Sequence, residues 1–495
     1  MSSLFRTRLA KGFDDRTARF HTSVVEDLRM FEYDIDGTMA HDIMLHEQGI
    51  MEKEDLVKIL GALQEIKEEW QAGKLQIGAE NEDIHEYIET KVIEKIGIEV
   101  GGKMHAGRSR NDQVMVDMKM VSKVELQEIA ENVLNLVKTL GEIADKHTET
   151  PMVYYTHGQQ AQIGTFGHYL CAYTDQYLRD YQRIKQCYDR VNYNPLGSAA
   201  IAGTNFRVNR LRTSELLGFD YIAENSMDAT SSRDWAIEIA SVLSILMANM
   251  SRMTADLVMW AGKEYQYVTI SDEYSSSSSI MPQKINPSTL ELVRGKTAEV
   301  YGTLQELMTM VKGLPTGYYQ DLQQTKIALW RAFDTTKTAT EILNGAISTM
   351  TINEDKMLYQ TKGSFIYAVQ LAEVLAEETL SFREAYKVTA GVVANLVEDG
   401  RTLENLKPED VQNVAKEMFG KDIMVSSGIA DKVSNPIKAL NNLRSPGSPH
   451  PAETAMAVEN RMELRERYWK ELDFLKIKLV IAADNLKNAI SKHTA

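Results

Sequence analysis

The chain has 495 residues, 43% hydrophobic and 25% charged, so it is large enough for two or three domains with a sizeable core. Its net charge of −15 argues against nucleic acid or an anionic membrane as a partner, and no window approaches about 18 uncharged apolar residues, which argues against a membrane span. An N-terminus without an apolar signal region and only two cysteines, Cys171 and Cys187, predict a cytoplasmic protein with two buried thiols.

The first part of the chain, residues 1–106, is predicted to be a small helical domain that ends near Gly101-Gly102. Residues 107–362 follow, with three long stretches that favour helices. Stretch 112–140 contains neither glycine nor proline and repeats apolar residues at helical spacing, so it would span roughly 45 Å. Stretch 228–261 also lacks both breakers, and the third runs from 290 to 311. These lengths predict a helical bundle whose apolar stripes face a core or another subunit.

A serine-rich loop precedes the third of these helices. Five serines, 275–279, lead through Ile280-Met281-Pro282 to Lys284 and then to Asn286-Pro287. We expect Asn286 to cap the helix and Pro287 to begin it, with Gly313 just beyond its end. A helix start favours bound carboxylates, and Lys284 adds a full positive charge. A plain solvated linker is the alternative, but a linker rarely ends in apolar residues followed by a spaced lysine and asparagine.

The last part, residues 363–495, is predicted to be a second small helical domain. Residues 444–451 form a loop rich in proline, glycine and serine, and 453–490 then lack glycine and proline, which predicts a long terminal helix. No dinucleotide-binding glycine motif, phosphate-binding loop or Cys-x-x-Cys pair occurs. We therefore predict neither a cofactor nor a metal.

Segment 278–287 resembles the signature loop of the fumarase/aspartase superfamily, whose form is roughly Gly-Ser-Ser-x-Met-Pro-x-Lys-x-Asn. Other segments, in the same order along the chain, resemble the argininosuccinate lyase branch of that superfamily. They are 33–41, 82–85, 107–113, 156–159, 195–198, 225–228 and 321–323. Any one of them is a weak signal, but seven in order are a strong one.

The resemblance implies an all-α fold of three mostly helical domains, in which the long central helices of four subunits form one bundle. It also implies a homotetramer whose active sites are each built from three chains. The reaction is a β-elimination that releases fumarate from a small anionic substrate without a cofactor. Because the protein is acidic, the site needs local positive charge, for which Arg108, Arg110, Lys284 and Lys326 are available.

The resemblance also implies roles for the catalytic residues. Ser278 aligns with the base that removes a proton next to a carboxylate, and its alkoxide needs stabilisation by loop N–H groups and cations. Lys284 and Asn286 align with groups that bind the substrate carboxylate and stabilise the intermediate. His157 pairs with a glutamate, here Glu291, and either protonates the leaving nitrogen or orients the group that does.

The same resemblance implies the substrate contacts. Thr156 would bond a substrate carboxylate, and Arg110 and Asn111 would contact the succinyl part, with Ser23 nearby. Three further residues match positions that contact the amino-acid part of argininosuccinate: Tyr318, Gln323 and Lys326. His85 is expected to lie behind the site.

Several positions depart from the family pattern and leave the leaving amine open. Ser277 replaces the signature glycine, Gly158 stands where leucine is usual, and Ile285 replaces a common lysine. Argininosuccinate is the first prediction, and another N-succinyl amine such as ethylenediamine-disuccinate is the second. A non-catalytic structural protein, as lens crystallins are, is disfavoured because Ser278, His157, Lys284 and Asn286 are all retained.

Overall fold

The structure, a computed structural model, describes residues 12–78 and 80–494. Most of these residues lie in helices, and the strands are few and short, which confirms the predicted mostly helical fold. The helices of the first part are α1 Asp15–His21, α2 Val24–Asp27, α3 Phe31–Glu47, α4 Lys53–Gln71, α5 Ile84–Ile96 and α6 Ile98–Gly101, with 3-10 turns at Leu28–Met30 and Gly102–His105.

Five long helices form the centre of the molecule. The helices of this part, with two short ones, are α7 Arg110–Lys146, α8 Phe166–Val191, α9 Arg210–Leu217, α10 Ser226–Ser231, α11 Asp234–Trp260, α12 Ser288–Val311 and α13 Thr325–Thr349. Helix α7 is longer than predicted because Ser109 and Asp112 form a capping box at its start. It also continues through Gly141, where an added Cβ would lie 2.3 Å from Met462, so the glycine permits close packing of the terminal helix.

The predicted continuous helix over 228–261 is wrong. The chain breaks between α10 and α11 at Ser232 and Arg233. The guanidinium of Arg233 is 1% exposed and donates to the carbonyls of Thr230 (3.3 Å) and Ser232 (3.0 Å). These carbonyls are thereby satisfied by a side chain instead of by a continuing helix.

The predicted start of α12 is wrong by one residue. Asn286 does not cap the helix, because it lies in a short strand that pairs with Ser276. Pro287 occupies the cap position, and the helix begins at Ser288. The end of α12 agrees with the end predicted from the sequence. Val311 is the last helical residue, and Gly313 follows with a positive φ of 83°.

The strands are short and pair two by two, which connects neighbouring loops. They are β1 Pro151–Thr156, β2 Gln159–Thr165, β3 Tyr193–Asn194, β4 Tyr221–Ile222, β5 Val268–Thr269, β6 Ser276–Ser277, β7 Ile285–Asn286 and β8 Thr351–Ile352. The pairs β1–β2, β5–β8 and β6–β7 are antiparallel, and β3–β4 is parallel.

The remaining helices cover one side of the bundle and one of its ends. They are α14 Glu354–Gln360, α15 Ala368–Glu378, α16 Phe382–Glu398, α17 Pro408–Phe419, α18 Ile429–Ser434, α19 Pro436–Asn441 and α20 Pro451–Thr494, with 3-10 turns at Asp272–Tyr274, Gln320–Gln324 and Leu403–Asn405. Helices α15–α19 enclose a separate apolar core, which Val153 and Ile163 of the β1–β2 hairpin join. Helix α20, the predicted terminal helix, packs instead on the main core, which also includes residues of the first part such as Phe31.

The direction of each central helix follows from its contacts. Gln127–Tyr188 and Lys119–Tyr193 bonds make α7 and α8 antiparallel, and Arg190–Glu238 and Asp180–Asn249 bonds do the same for α8 and α11. Bonds from Glu125 to Lys337 and from Asn132 to Glu341 make α7 and α13 parallel. The bundle therefore has an Arg110 end, where α7, α11 and α13 begin, and a His157 end, where they finish beside the hairpin. Helix α11, with 27 residues, separates these ends by about 40 Å.

By length and composition, α11 is apolar enough to cross a membrane, and 56% of the relevant window is buried. It packs against α8, α12 and α13, as the core helix of a bundle does. Both cysteines are buried free thiols, as predicted.

Candidate active site

At the Arg110 end, the structure brings together Ser23 and Lys326, which the sequence predicts to lie near different parts of the substrate. Lys326 is 3% exposed and forms an ion pair with Asp27, and its Nζ lies 3.3 Å from Ser23 Oγ. The Ser23 hydroxyl donates to Asp27 Oδ2 at 2.7 Å. Sequence reasoning missed Asp27, although its spacing of four residues from Ser23 places both on one helix face. The three side chains form a compact polar group at the start of α13.

Gln323 and Tyr318 lie beside this group. Gln323 Nε2 donates to the carbonyl of His21 at 3.0 Å. Burial raises the pKa of the Tyr318 phenol, and the charges of Arg233 and Lys326 act against that shift. Tyr318 is therefore a neutral hydroxyl near pH 7, within electrostatic reach of Lys326.

Arg110 lies at the same end, at the start of α7. It donates to Asp83 Oδ2 at 2.5 Å, while Asp83 Oδ1 caps α5 by accepting from the Glu86 N–H at 2.7 Å. Burial favours the neutral acid, but the charges of Arg110 and His85 and the hydrogen bonds from Arg110 and the Glu86 N–H together lower the pKa of Asp83. The adjacent Asn111 donates from its amide to the carbonyl of Ala200 at 2.9 Å.

Arg108, two residues before Arg110, is also buried. It is 7% exposed, and its guanidinium donates to Thr38 Oγ1 at 2.8 Å. Its availability to a substrate stays a prediction. The Arg110 and Lys326 cations are in turn balanced by Asp83 and Asp27.

A cleft of about 610 Å³ opens beside α10 at this end of the bundle. It contains Asn225 and Asp228 of the family segment 225–228, together with Lys119. Arg190 on its wall is already paired with Glu238. Its acidic lining does not favour a dicarboxylate, so we do not place the substrate there.

Thr156 and His157 lie at the tip of the β1–β2 hairpin, at the opposite end. Thr156 pairs with Gln159, so His157 and Gly158 form a two-residue turn. Their φ values are 55° and 71°, which is the left-handed conformation that such a turn requires. This conformation explains why glycine suits position 158. Thr156 and His157 are both exposed to solvent.

The signature loop also lies at the His157 end, between α11 and α12. Strands β6 and β7 close it into a small hairpin. The Ser278 hydroxyl oxygen accepts from the backbone N–H groups of Met281 (3.0 Å) and Ile280 (3.4 Å). Lys284 Nζ donates to Asn286 Oδ1. Ser278 therefore sits where backbone dipoles would stabilise an alkoxide, and Lys284 and Asn286 are brought together as predicted.

The predicted His157–Glu291 pair does not form within one chain. Glu291 lies in the first turn of α12 and is exposed, as His157 is. Across the residues that the structure describes, no hydrogen bond or ion pair joins the two side chains. The candidate residues thus fall into groups at opposite ends of a bundle about 40 Å long, and one chain does not assemble them.

One buried group among the described residues has the spacing of cation ligands. Asp34, His85 and Asp117 place their polar atoms within 4.8 Å of one another. The guanidinium of Arg108 already supplies compensating positive charge to both carboxyls. His85 is 3% exposed, and its expected place behind the site stays a prediction.

Comparison with known proteins identifies the family of the chain. A family model described as lyase matches residues 8–302, and one described as argininosuccinate lyase C-terminal matches 365–429. The chain is 40% identical to an argininosuccinate lyase of Desulforamulus reducens over 93% of this chain and 98% of that one. It is 39% identical to that of Methanosarcina barkeri over 100% and 99%.

The chain belongs to the argininosuccinate lyase family. It is thus a carbon–nitrogen lyase of the fumarase/aspartase superfamily, as the signature loop indicates. Among solved structures, an EDDS lyase in complex with formate superposes with a TM-score of 0.86 at 29% identity, covering 94% of this chain and 92% of that one. A class II fumarase from Schistosoma mansoni, at 14% identity and a TM-score of 0.71 over 86% and 94%, shares the fold.

Proposed function

We propose that the protein cleaves L-argininosuccinate into L-arginine and fumarate by β-elimination, without a cofactor, in the cytoplasm. The observation that carries the proposal is the Ser23–Asp27–Lys326 group. Lys326 offers its remaining N–H to an α-carboxylate, and Asp27 offers an acceptor to an α-ammonium, while the Ser23 hydroxyl orients Asp27. The leaving group arginine has both, and relatives from 36% to 42% identical are argininosuccinate lyases.

Ser278 acts as the base. The carbon next to a carboxylate is a weak acid, so its conjugate form must be stabilised as an aci-carboxylate. The two N–H groups on Ser278 Oγ stabilise the serine alkoxide before it takes the proton. Lys284 and Asn286, bonded to each other, then bind the carboxylate on which the negative charge develops.

The leaving nitrogen needs a proton as its bond to carbon breaks. We assign the protonation of the leaving nitrogen to His157, with Glu291 orienting the imidazole. Thr156, beside His157 at the hairpin tip, binds a substrate carboxylate. Arg110 and Asn111 bind the succinyl part of the substrate. Tyr318 and Gln323 contact its amino-acid part.

The groups at the two ends meet in a homotetramer, in which each site takes residues from three chains. Antiparallel association of bundles brings the Arg110 end of one copy to the His157 end of others. Large apolar side chains are exposed on the central helices and would be covered there: Ile245, Met259, Leu292, Tyr301 and Met308. An added Cβ at Gly295 or Gly302 of α12 would meet nothing within 4 Å, so a second helix has room to approach.

The division into domains 1–106, 107–362 and 363–495 stays part of this proposal. The separate apolar core of α15–α19 supports the last boundary near residue 363. The continuity of the main core with the first part and with α20 shows that such domains would be tightly joined.

The second candidate substrate is another N-succinyl amine, because EDDS lyases superpose with TM-scores of 0.85 and 0.86. The test is fumarate formation, followed by ultraviolet absorbance, across a panel of N-succinyl compounds. We expect argininosuccinate to give a kcat/KM at least about tenfold above the next compound. A higher value for ethylenediamine-disuccinate would replace the proposed substrate.

A further inference from the structure

Two buried carboxyl groups lie beneath the Arg110–Asp83 pair, where three helices meet. Asp34 of α3 and Asp117 of α7 are 1% and 0% exposed. Asp34 Oδ1 accepts from His85 Nδ1 of α5 at 2.9 Å and from Gln113 Nε2 of α7 at 2.5 Å. A single oxygen of Asp34 therefore joins three helices.

This joint is close in sequence to both members of the Arg110–Asp83 pair. His85 follows Asp83 by two residues at the start of α5, and Gln113 lies one turn beyond Arg110 on α7. Asp34 therefore fixes the two segments that carry the pair relative to each other. A shift of either segment would move the guanidinium of Arg110.

Asp117 faces the same joint and lacks the donors that an ionised carboxylate needs. Across the described residues, neither of its oxygens accepts a hydrogen bond from an N–H or hydroxyl group, and His85 Nδ1 is 3.7 Å from Oδ2. The backbone of α3 closes the other side, since a Cβ on Gly37 would lie 3.4 Å from Asp117 Oδ1. A buried carboxylate without donors costs several kcal/mol. A carboxylic acid in hydrogen-bonding contact with Asp34 avoids that cost.

The surrounding charges favour one proton on this pair. Burial and the negative charge of Asp34 raise the pKa of Asp117 well above its usual value. Burial acts in the same direction on Asp34, but the charge and hydrogen bond of His85, with Arg108 and Gln113, lower its pKa overall. The titratable and charged groups that face the pair are Asp27, His85, Glu89, His105 and Arg108.

We infer that Asp117 is a protonated carboxylic acid that donates to Asp34, and that this carboxyl pair positions Asp83 and, through it, Arg110. Asp34 and Asp117 are positioning residues, because neither contacts the substrate. The inference rests on the proposed function only for the role of Arg110 in substrate binding. The protonated state itself is independent of any activity.

The proton is tested on the intact protein by infrared spectroscopy near neutral pH. Asp117→Asn should remove one C=O stretching component of a buried carboxylic acid. Asp42→Asn should remove a different component and leave that of Asp117 in place, because Asp42 of α3 is a second buried carboxyl whose pKa burial raises. The melting temperature of Asp117→Asn should also rise relative to the wild type as pH increases above about 4, the pKa of an aspartate in the unfolded chain. The reason is that an acid whose folded-state pKa is raised contributes stability that is fully present below its unfolded pKa and is lost as pH rises towards the folded pKa, whereas asparagine does not titrate.

The positioning role is tested by kinetics. Asparagine can still donate to Asp34, so Asp117→Asn should keep KM within about twofold of wild type, whereas Asp117→Val, which cannot, should raise KM about tenfold with a smaller change in kcat. If Asp117→Val folds but leaves KM unchanged, the pair does not position Arg110. Absence of the infrared component, or a stoichiometric metal in the purified protein, would overturn the protonated pair. Absence of lyase activity with the component present would instead reject the proposed function.

Discussion

The hydroxyl of Ser278 differs from that of its neighbour Ser279 in its hydrogen bonds. Ser278 Oγ accepts from two backbone N–H groups, and Ser279 points outward and is exposed. Ser278→Ala should therefore reduce kcat by at least about 10²–10⁴-fold, the usual effect of losing a general base, with assembly and melting temperature unchanged. Fumarate release under saturating substrate is the measurement.

Ser279→Ala is the matched control, and we expect it to be much milder. If Ser279→Ala proves the more damaging of the two, the base is Ser279 and the register of the loop is off by one residue. Substantial activity in both variants would remove the signature serines from the role of base.

Lys326 belongs to the part of the site that recognises the amino acid. Lys326→Met should weaken argininosuccinate turnover ten- to hundredfold, because one charge-assisted hydrogen bond contributes about 1.5–3 kcal/mol. Fumarate binding, which depends on the other part of the site, should change far less. Lys337→Met is the control on the same helix, since Lys337 pairs with Glu125 and Glu128 of α7 and with no other carboxylate of the described residues. Equal losses for both ligands would contradict the assignment.

Individual site residues were predictable where a local motif carries them. The loop that holds Ser278, Lys284 and Asn286 closes on itself through β6 and β7, so its chemistry follows from local sequence. Asp27 was missed because its role arises only when α2 faces α13, and nothing local signals that contact. The contact of Arg108 with Thr38 was not predicted for the same reason, since it spans 70 residues of chain.

At the scale of elements, the β1–β2 hairpin depends on the left-handed conformation of its turn. Gly158→Ala should lower stability by about 1 kcal/mol, because an alanine is strained at a φ of 71°. It should also reduce kcat by displacing His157, while the affinity for arginine at the other end stays unchanged. Urea unfolding and kcat are the two measurements.

Gly61→Ala is the control for that change. Gly61 lies within α4, where an added Cβ meets nothing within 4 Å, so alanine should raise stability by about 0.5–1 kcal/mol. A Gly158→Ala variant that is as stable as Gly61→Ala would show that the hairpin turn is not left-handed in solution.

The long helices were predictable and some of their boundaries were not. Apolar spacing over 112–140 identifies α7, and the absence of glycine and proline from 453–490 identifies α20, both without tertiary information. The break before α11 depends on Arg233, whose guanidinium reaches the core and satisfies carbonyls of the preceding turn. The start of α12 was misplaced because strand pairing at Asn286 outweighs its preference for a capping position.

At the scale of the whole molecule, the sequence predicted three of the five long central helices, α7, α11 and α12, but neither α8 and α13 nor which residues share an end of the bundle. The contacts place Ser23, Arg110 and Lys326 at one end, and His157 and Ser278 at the other. The expected basic pocket is also absent within one chain of the described structure, since Arg110 and Lys326 are paired with carboxylates. Both facts favour a site completed by other copies.

Complementation between two inactive variants tests the shared site most directly. Chains with His157→Asn and chains with Ser278→Ala are mixed in equal amounts, unfolded and refolded together, and assayed for argininosuccinate cleavage. If the two groups of each site come from different chains, random mixing gives intact sites in about a quarter of cases, so up to about a quarter of wild-type activity should return. If hybrid tetramers form and the mixture stays as inactive as its parents, His157 and Ser278 act within one chain and the proposed architecture is wrong.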